Sequence, residues 1–183
     1  LLVLTIAANA CGAATPPKVA AGSSANTGRE AWLDAFARGY FPGRSGQIFI
    51  VPREGDFIVD RDPLYAFMHG SPWPYDTHIP LLFTGAPFIK QGASNQRVTQ
   101  QDVVPTLAAL LGTTPPATST GHLLSPALAT TTERPRVVAL FVLDGSRADY
   151  FDTYADAMPT LSRLRREGAW FANAHVSSAP TLT

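Results

Sequence analysis

The stretch Arg134–Thr183 reads RPRVVALFVLDGSRADYFDTYADAMPTLSRLRREGAWFANAHVSSAPTLT. An apolar run, Val137–Leu143, stops abruptly at Asp144 and Gly145. A polar loop follows, with a short helix in it. A second helix is predicted around Met158–Glu167, capped by Gly168, and a strand at Trp170–His175. Strand, helix, strand implies a parallel βαβ unit. An acid at the end of a buried strand is where open α/β sheets place their chemistry. The stretch closes on Pro180-Thr181-Leu182-Thr183, where a hydroxyl just beyond a Pro-containing loop is a candidate nucleophile.

Upstream of this stretch the same periodicities recur. Glu30–Arg38 (EAWLDAFAR) has helical spacing at Trp32, Leu33 and Phe36, with Gly39 as a stop. Gln47–Val51 (QIFIV) reads as a strand, with Phe57–Val59 as its possible partner. Met68–His78 (MHGSPWPYDTH) is a loop by its turn chemistry. Ile79–Thr84 (IPLLFT) reads as a buried strand ended by Gly85. Thr99–Leu111 starts well as a helix at Thr99, tolerates Pro105 early, and is ended by Gly112. Thr113–Thr120 is a crossing loop, His122–Ala129 a short helix and Thr130–Arg136 a polar connector. Together these elements predict an α/β fold, and there is no internal repeat.

The chain has 183 residues, enough for one domain with a sizeable core. Its 45% hydrophobic and 15% charged residues place it with globular rather than disordered chains. Fourteen basic residues balance fourteen acidic ones, which speaks against a nucleic-acid platform. The apolar segment Leu1–Ala8 is far short of a membrane span. LLVLTIAANAC looks like the hydrophobic region of a secretory signal, with small residues at Ala8, Ala10 and Cys11 where cleavage is expected. Cys11 is the single cysteine and a possible lipid anchor. Ala13–Thr27, rich in Ala, Gly, Ser, Pro and Thr, reads as a flexible linker. These features point to a secreted, periplasmic or cell-envelope protein of bacterial type.

Several side chains are candidates for chemistry, each beside a plainer reading. Asp144 is a turn former or helix cap, or a hard ligand for a metal at the carboxyl edge of the sheet. Asp149 and Asp152 face solvent. Thr181 and Thr183 are polar loop residues, or one of them is a nucleophile that needs a cation or base to activate it. No His-Asp relay is apparent nearby, so a metal is the natural activator. His69 and His78 are surface loop residues, or donors to a metal that the small residues of His69-Gly70-Ser71 let approach closely. Imidazole plus carboxylate is a usual zinc ligand set. Arg147 is a surface charge or a phosphate contact. His122 and His175 are structural. Arg163, Arg165 and Arg166 form a solvated helix face, whereas Trp170 and Phe171 belong to the core. GRSGQ lacks the Lys-Ser/Thr of a P-loop.

VVALFVLDGSRADY, MPTLSRLRREGAWFANAHV and APTLT together resemble the opening of the alkaline phosphatase superfamily. The likeness is to the threonine-nucleophile branch, which includes nucleotide pyrophosphatase/phosphodiesterases. FMHGSPWPYDTHIPLLFTG, followed by VTQQDVVPTLAALLG, is similar to the closing part of the same enzymes. The C/S-x-P-S-R motif of the sulfatase branch is absent. Residues 29–130 thus resemble the family's closing part and residues 131–183 its opening part. They follow a leader-like segment (1–12) and a linker (13–28). This order is that of a circular permutation, of two joined tandem copies, or of a fragment of a longer protein.

The resemblance implies a three-layer α/β sandwich with a mostly parallel central sheet, incomplete in this chain. It implies two divalent metal ions, Zn2+ above all. Thr183 would be the nucleophile and would share one metal with Asp144, while His69 would bind the other. The implied activity is hydrolysis of a small phosphomonoester or phosphodiester through a phosphothreonine intermediate. A phosphomutase or transferase of the same superfamily is the neighbouring alternative. From a different class comes a catalytically inactive, partner-binding module, because three matched ligand positions are too few to close two metal sites.

Overall fold

Two strands, β2 (His78–Thr84) and β6 (Ala169–His175), carry the centre of the fold. The structure, a computed structural model, describes residues 2–9, 25–56 and 69–180. Successive side chains of a strand point to opposite faces, and both faces of this pair are covered. On one face Leu81, Phe83 and Phe171 pack with Val103 and Leu110 of α3 (Val103–Leu111) and with Leu124. On the other, Leu82 and Trp170 pack with Phe151 of α4 (Tyr150–Thr153) and with Leu161 and Leu164 of α5 (Pro159–Glu167). Helix, sheet, helix is the three-layer arrangement that the sequence implies. The largest buried side chains, Phe83 and Phe171, meet edge to face at 6.0 Å.

The sheet has six strands in the order β3–β6–β2–β1–β5, with β4 also paired to β6. Here β1 is Leu2–Asn9, β3 Gly92–Ser94, β4 Val98–Thr99 and β5 Val138–Gly145. β1 is parallel to β5, and β3 and β4 are parallel to β6. β2 alone runs against its neighbours β1 and β6. The sheet is therefore mostly parallel, and β5 and β6 run in the same direction without touching, as a long βαβ crossover requires.

Local chemistry explains the helices. Asp102 sits just before α3. Its Oδ2 accepts the Thr99 N–H at 2.7 Å and its Oδ1 accepts the His122 N–H at 2.7 Å. The first is the reach-back bond of a capping box, and the second ties the loop at His122 to the start of the helix. Thr106 Oγ1 donates to the Asp102 carbonyl at 2.6 Å and accepts the Leu124 N–H at 3.0 Å, which ties the following loop to the helix. Pro105 falls in the first turn of α3, where its missing N–H costs nothing. Gly112 ends the helix at φ 66°, in the left-handed region. α1 (Ala25–Gly39) starts inside the stretch that composition reads as a linker.

The fold corrects three expectations. Gln47–Val51 is not a strand: Ile48 and Ile50 are 82% and 74% exposed, and Phe49 turns its ring to Phe36 of α1 at 5.0 Å. Its expected partner, Phe57–Val59, lies outside the described residues. β5 forms, but at the end of the strand order, with Leu140, Phe141 and Val142 about half exposed, so it is an edge strand rather than a buried one. Arg165 does not belong to a uniformly solvated helix face. It donates to Asp152 Oδ1 at 2.6 Å and lies 4.5 Å over the Trp170 ring, sealing α4 and α5 onto the sheet. Arg163 pairs with Glu167 one helical turn away at 2.7 Å.

The leader-like segment is placed as β1, matched to β5 from Leu2↔Val138 to Asn9↔Gly145. Cys11 lies outside the described residues.

Candidate functional site

Because β2 is reversed, its entry lies at the same edge of the sheet as the exits of its neighbours. His78 at the start of β2 is level with His175 at the end of β6. Asn9 at the end of β1 is level with Gly145 at the end of β5. The loop carrying His69 therefore enters where Asp144 leaves the sheet and where the chain runs on from β6 to Pro180. This is the carboxyl edge of the parallel strands, the usual place for a site in an open α/β sheet.

The result is a meeting of two candidates far apart in sequence: His69 Nε2 lies 3.6 Å from Asp144 Oδ1. Each is followed by a glycine at positive φ, Gly70 at 109° and Gly145 at 70°, a backbone conformation that side chains other than glycine seldom adopt. The Asp144 side chain is 60% exposed and that of His69 22% exposed.

The His69 turn is held from below by Asp76, which is 2% exposed in α2 (Pro74–Thr77). Asp76 Oδ2 accepts the Ser71 N–H at 2.8 Å and also the Ser71 hydroxyl. Its Oδ1 is buried without a hydrogen-bond partner. Burial pushes the Asp76 carboxyl above the usual carboxylate range, and the Ser71 hydrogen bonds and the charges of His69 and Arg147 pull it back. The segment is fastened outward too. Trp73 Nε1 donates to the Pro52 carbonyl at 3.0 Å, and Tyr75 Oη accepts the Gly55 N–H at 3.1 Å.

On the other side, the loop after β6 is strapped to α1 and to the turn before α3. The Ala179 N–H donates to the Ala35 carbonyl at 3.0 Å and Arg38 Nη1 to the Ser177 carbonyl at 3.1 Å. Gln100 exchanges hydrogen bonds with the Ser177 amide at 3.1 Å and hydroxyl at 3.3 Å. Gly39 lies so close to this loop that a Cβ there would stand 2.4 Å from the Ala179 carbonyl oxygen. Pro180 and His69 both line a cleft of about 190 Å³, walled by Phe36, Phe49 and Tyr75 and floored by Asp76. An apolar cleft with a few convergent polar groups is the usual form of a small-molecule site.

Thr181 and Thr183 lie outside the described residues. His78 is turned into the fold: its Nε2 bonds the Ala172 carbonyl at 2.8 Å, and its ring stacks on His175 at 5.1 Å. Arg147 forks onto Asp149 at 2.9 and 2.6 Å. His122 is exposed beside Asp102.

The His69–Asp144 pair fits part of a zinc site. Imidazole and carboxylate are both zinc donors, and at 3.6 Å the two are near enough to face neighbouring ions of a two-metal site, whose ions lie about 3.5–4 Å apart. Among the described residues no cluster of three or more His, Cys, Asp or Glu side chains forms, so the pair is a partial ligand set.

Residues 138–183 match the model of the type I phosphodiesterase/nucleotide pyrophosphatase family. The chain is similar to the alkaline phosphatase PafA of Elizabethkingia meningoseptica, with 41% identity over 73 residues, 40% of this chain and 13% of that protein. It is similar to the alkaline phosphatase PhoV of Synechococcus elongatus, with 34% identity over 88 residues, 48% of this chain and 15% of that protein. The chain thus spans only a small part of the length of either relative. No solved structure matches it.

Proposed function

The chain belongs to the alkaline phosphatase superfamily, and from that premise we propose that the full protein is a metal-dependent phosphate-ester hydrolase with Thr183 as its nucleophile. The 3.6 Å approach of His69 to Asp144 carries the proposal, since it assembles two metal donors from segments far apart in the sequence. Asp144 and His69 would hold divalent ions, zinc by the chemistry of their donors. When bound, such ions polarise the phosphoryl oxygens and lower the pKa of a hydroxyl or water.

The Thr183 hydroxyl would attack phosphorus in line, forming the Thr–O–P bond as the ester P–O bond breaks and the alcohol departs. Water would then cleave the Thr–O–P bond, restoring the hydroxyl and releasing inorganic phosphate from a monoester or a phosphomonoester from a diester. The cleft between His69 and Pro180 would admit a small phosphomonoester or phosphodiester. Leu1–Cys11 would direct the protein to the cell envelope or beyond it, with Cys11 as a possible lipid anchor.

The test is phosphate release from p-nitrophenyl phosphate by the full-length protein in zinc. Loss of a nucleophile that acts as part of a unit costs at least about a thousandfold in kcat. An unchanged rate in Thr183→Ala would overturn the assignment. For the 183-residue chain alone we propose inactivity, because a two-donor set does not close a catalytic zinc site. Two equivalents of tightly held zinc on this chain would refute that.

A further inference from the structure

We infer that Asp76 is a positioning residue whose buried carboxylate locks the His69–Gly70–Ser71 turn and so aims His69 Nε2 at Asp144. The inference rests on the reading of His69 as a metal ligand. Three observations carry it.

First, Asp76 spends its hydrogen bonds on one residue, accepting both the amide at 2.8 Å and the hydroxyl of Ser71. Ser71 is the far end of the turn that presents His69. Gly70, between them at φ 109°, gives the turn its shape but has no side chain to hold it there.

Second, Asp76 is anchored beside the most deeply buried strand of the sheet. α2 runs directly into β2, where Ile79, Leu81, Leu82 and Phe83 are all fully buried. A tether from Ser71 to Asp76 therefore references the loop to the core.

Third, this carboxylate is 2% exposed and has one oxygen without a partner. Burying a charge so incompletely satisfied is unfavourable, and an apolar residue at this depth would avoid the cost. A local stabilising role alone does not account for it. Fixing the ligand loop does, because a partner that orients a metal-binding His typically governs affinity by about 10–100-fold.

The experiment measures zinc affinity and far-UV circular dichroism on the full-length protein and its variants. Asp76→Ala is expected to weaken zinc about tenfold or more. Asp76→Asn, which keeps an acceptor for Ser71, should stay within about threefold of the parent, and Ser71→Ala, which loses only the hydroxyl bond, should fall between. The same Asp76→Ala change made in a His69→Ala background should cost nothing further, since the effect acts through His69.

Folded Asp76→Ala protein with parental zinc affinity, or an equal loss in both backgrounds, would overturn the inference. If Asp76→Ala does not fold, Ser71→Ala decides, and unchanged affinity there would overturn it. If the parent protein holds no zinc, the metal reading fails separately. The turn itself is then read from hydrogen exchange at the Ser71 amide, which should be protected in the parent and released in Asp76→Ala, where its acceptor is gone. An unprotected parental amide would overturn the lock.

Discussion

His175 should make the stability of this chain fall as pH drops from neutrality, and a single substitution should remove that fall. Its imidazole sits at the end of β6, stacked on His78 at 5.1 Å and bonded through Nε2 to Asn173 Oδ1 at 2.8 Å. Burial first, then the positive charges of Arg97 and His78, lower its pKa from 6.5 to about 4. The sign follows from proton counting. Above pH 6.5 both folded and unfolded chains carry a neutral ring. Between 6.5 and about 4 the unfolded chain takes up a proton that the folded chain refuses, so acid favours unfolding. Below about 4 both are protonated and the loss levels off. At ~1.4 kcal/mol per pH unit this interval is worth about 3 kcal/mol. Partial solvent access to the half-buried ring brings the measurable part to about 2 kcal/mol.

The assay is urea unfolding at half-unit steps from pH 7.5 to 4, comparing the parent with His175→Gln, which keeps a donor for Asn173 but cannot ionise in this range. Carboxylates also contribute to the parent's pH dependence, so the informative quantity is the difference between the two proteins. That difference should shift by about 2 kcal/mol in favour of the variant on going from pH 7 to pH 4. His78→Gln should keep most of the slope, because burial and Arg97 come before His78 among the causes. A parent–variant difference that stays flat from pH 7 to pH 4 would refute the reasoning.

Two further outcomes are expected. Phe171→Ala, at a ring 1% exposed and in edge-to-face contact with Phe83, should destabilise the chain by about 3–5 kcal/mol in denaturant unfolding. For the amino-terminal segment, mass spectrometry of the protein recovered from its native host decides between a retained strand and a removed leader. If Leu2–Asn9 is retained as β1, deleting it should lower the melting temperature sharply, because β2 and β5 both lose a partner along it.

What the sequence reveals depends on where the physical signal is local. β2, α3, α5 and β6 are legible because each has a clean period or apolar run bounded by a cap or a glycine, and because packing agrees with the pattern. Gln47–Val51 has equal β propensity, but among the described residues no strand pairs with it, and Phe49 finds a better surface on Phe36. Leu2–Asn9 is ambiguous for a different reason, since a short apolar run suits a leader's core and a sheet strand alike. At the site, Asp144 and His69 can be read from a strand end and a turn-rich loop. Asp76 cannot, for nothing in Pro-Tyr-Asp-Thr-His distinguishes a buried carboxylate from a turn former. Only the fold shows that it faces Ser71.

The reversed strand is what brings the His69 loop and the Asp144 strand end to one edge of the sheet. A histidine in a loop that follows a parallel strand reaches the carboxyl edge of the sheet without help, but one in a loop that precedes a strand would sit at the opposite edge. His69 precedes β2. It reaches Asp144 because β2 alone runs against its neighbours, so that its entry is level with the exits of β1, β5 and β6. The His69 loop and the Asp144 strand end then converge whichever comes first along the chain, since neither depends on a direct covalent connection to the other. Their meeting depends instead on strand direction and register. A one-residue slip of β2 against β6 would swap Leu81 and Phe83 with Leu82 between the two differently shaped cores, so the packing of both faces holds the site in place.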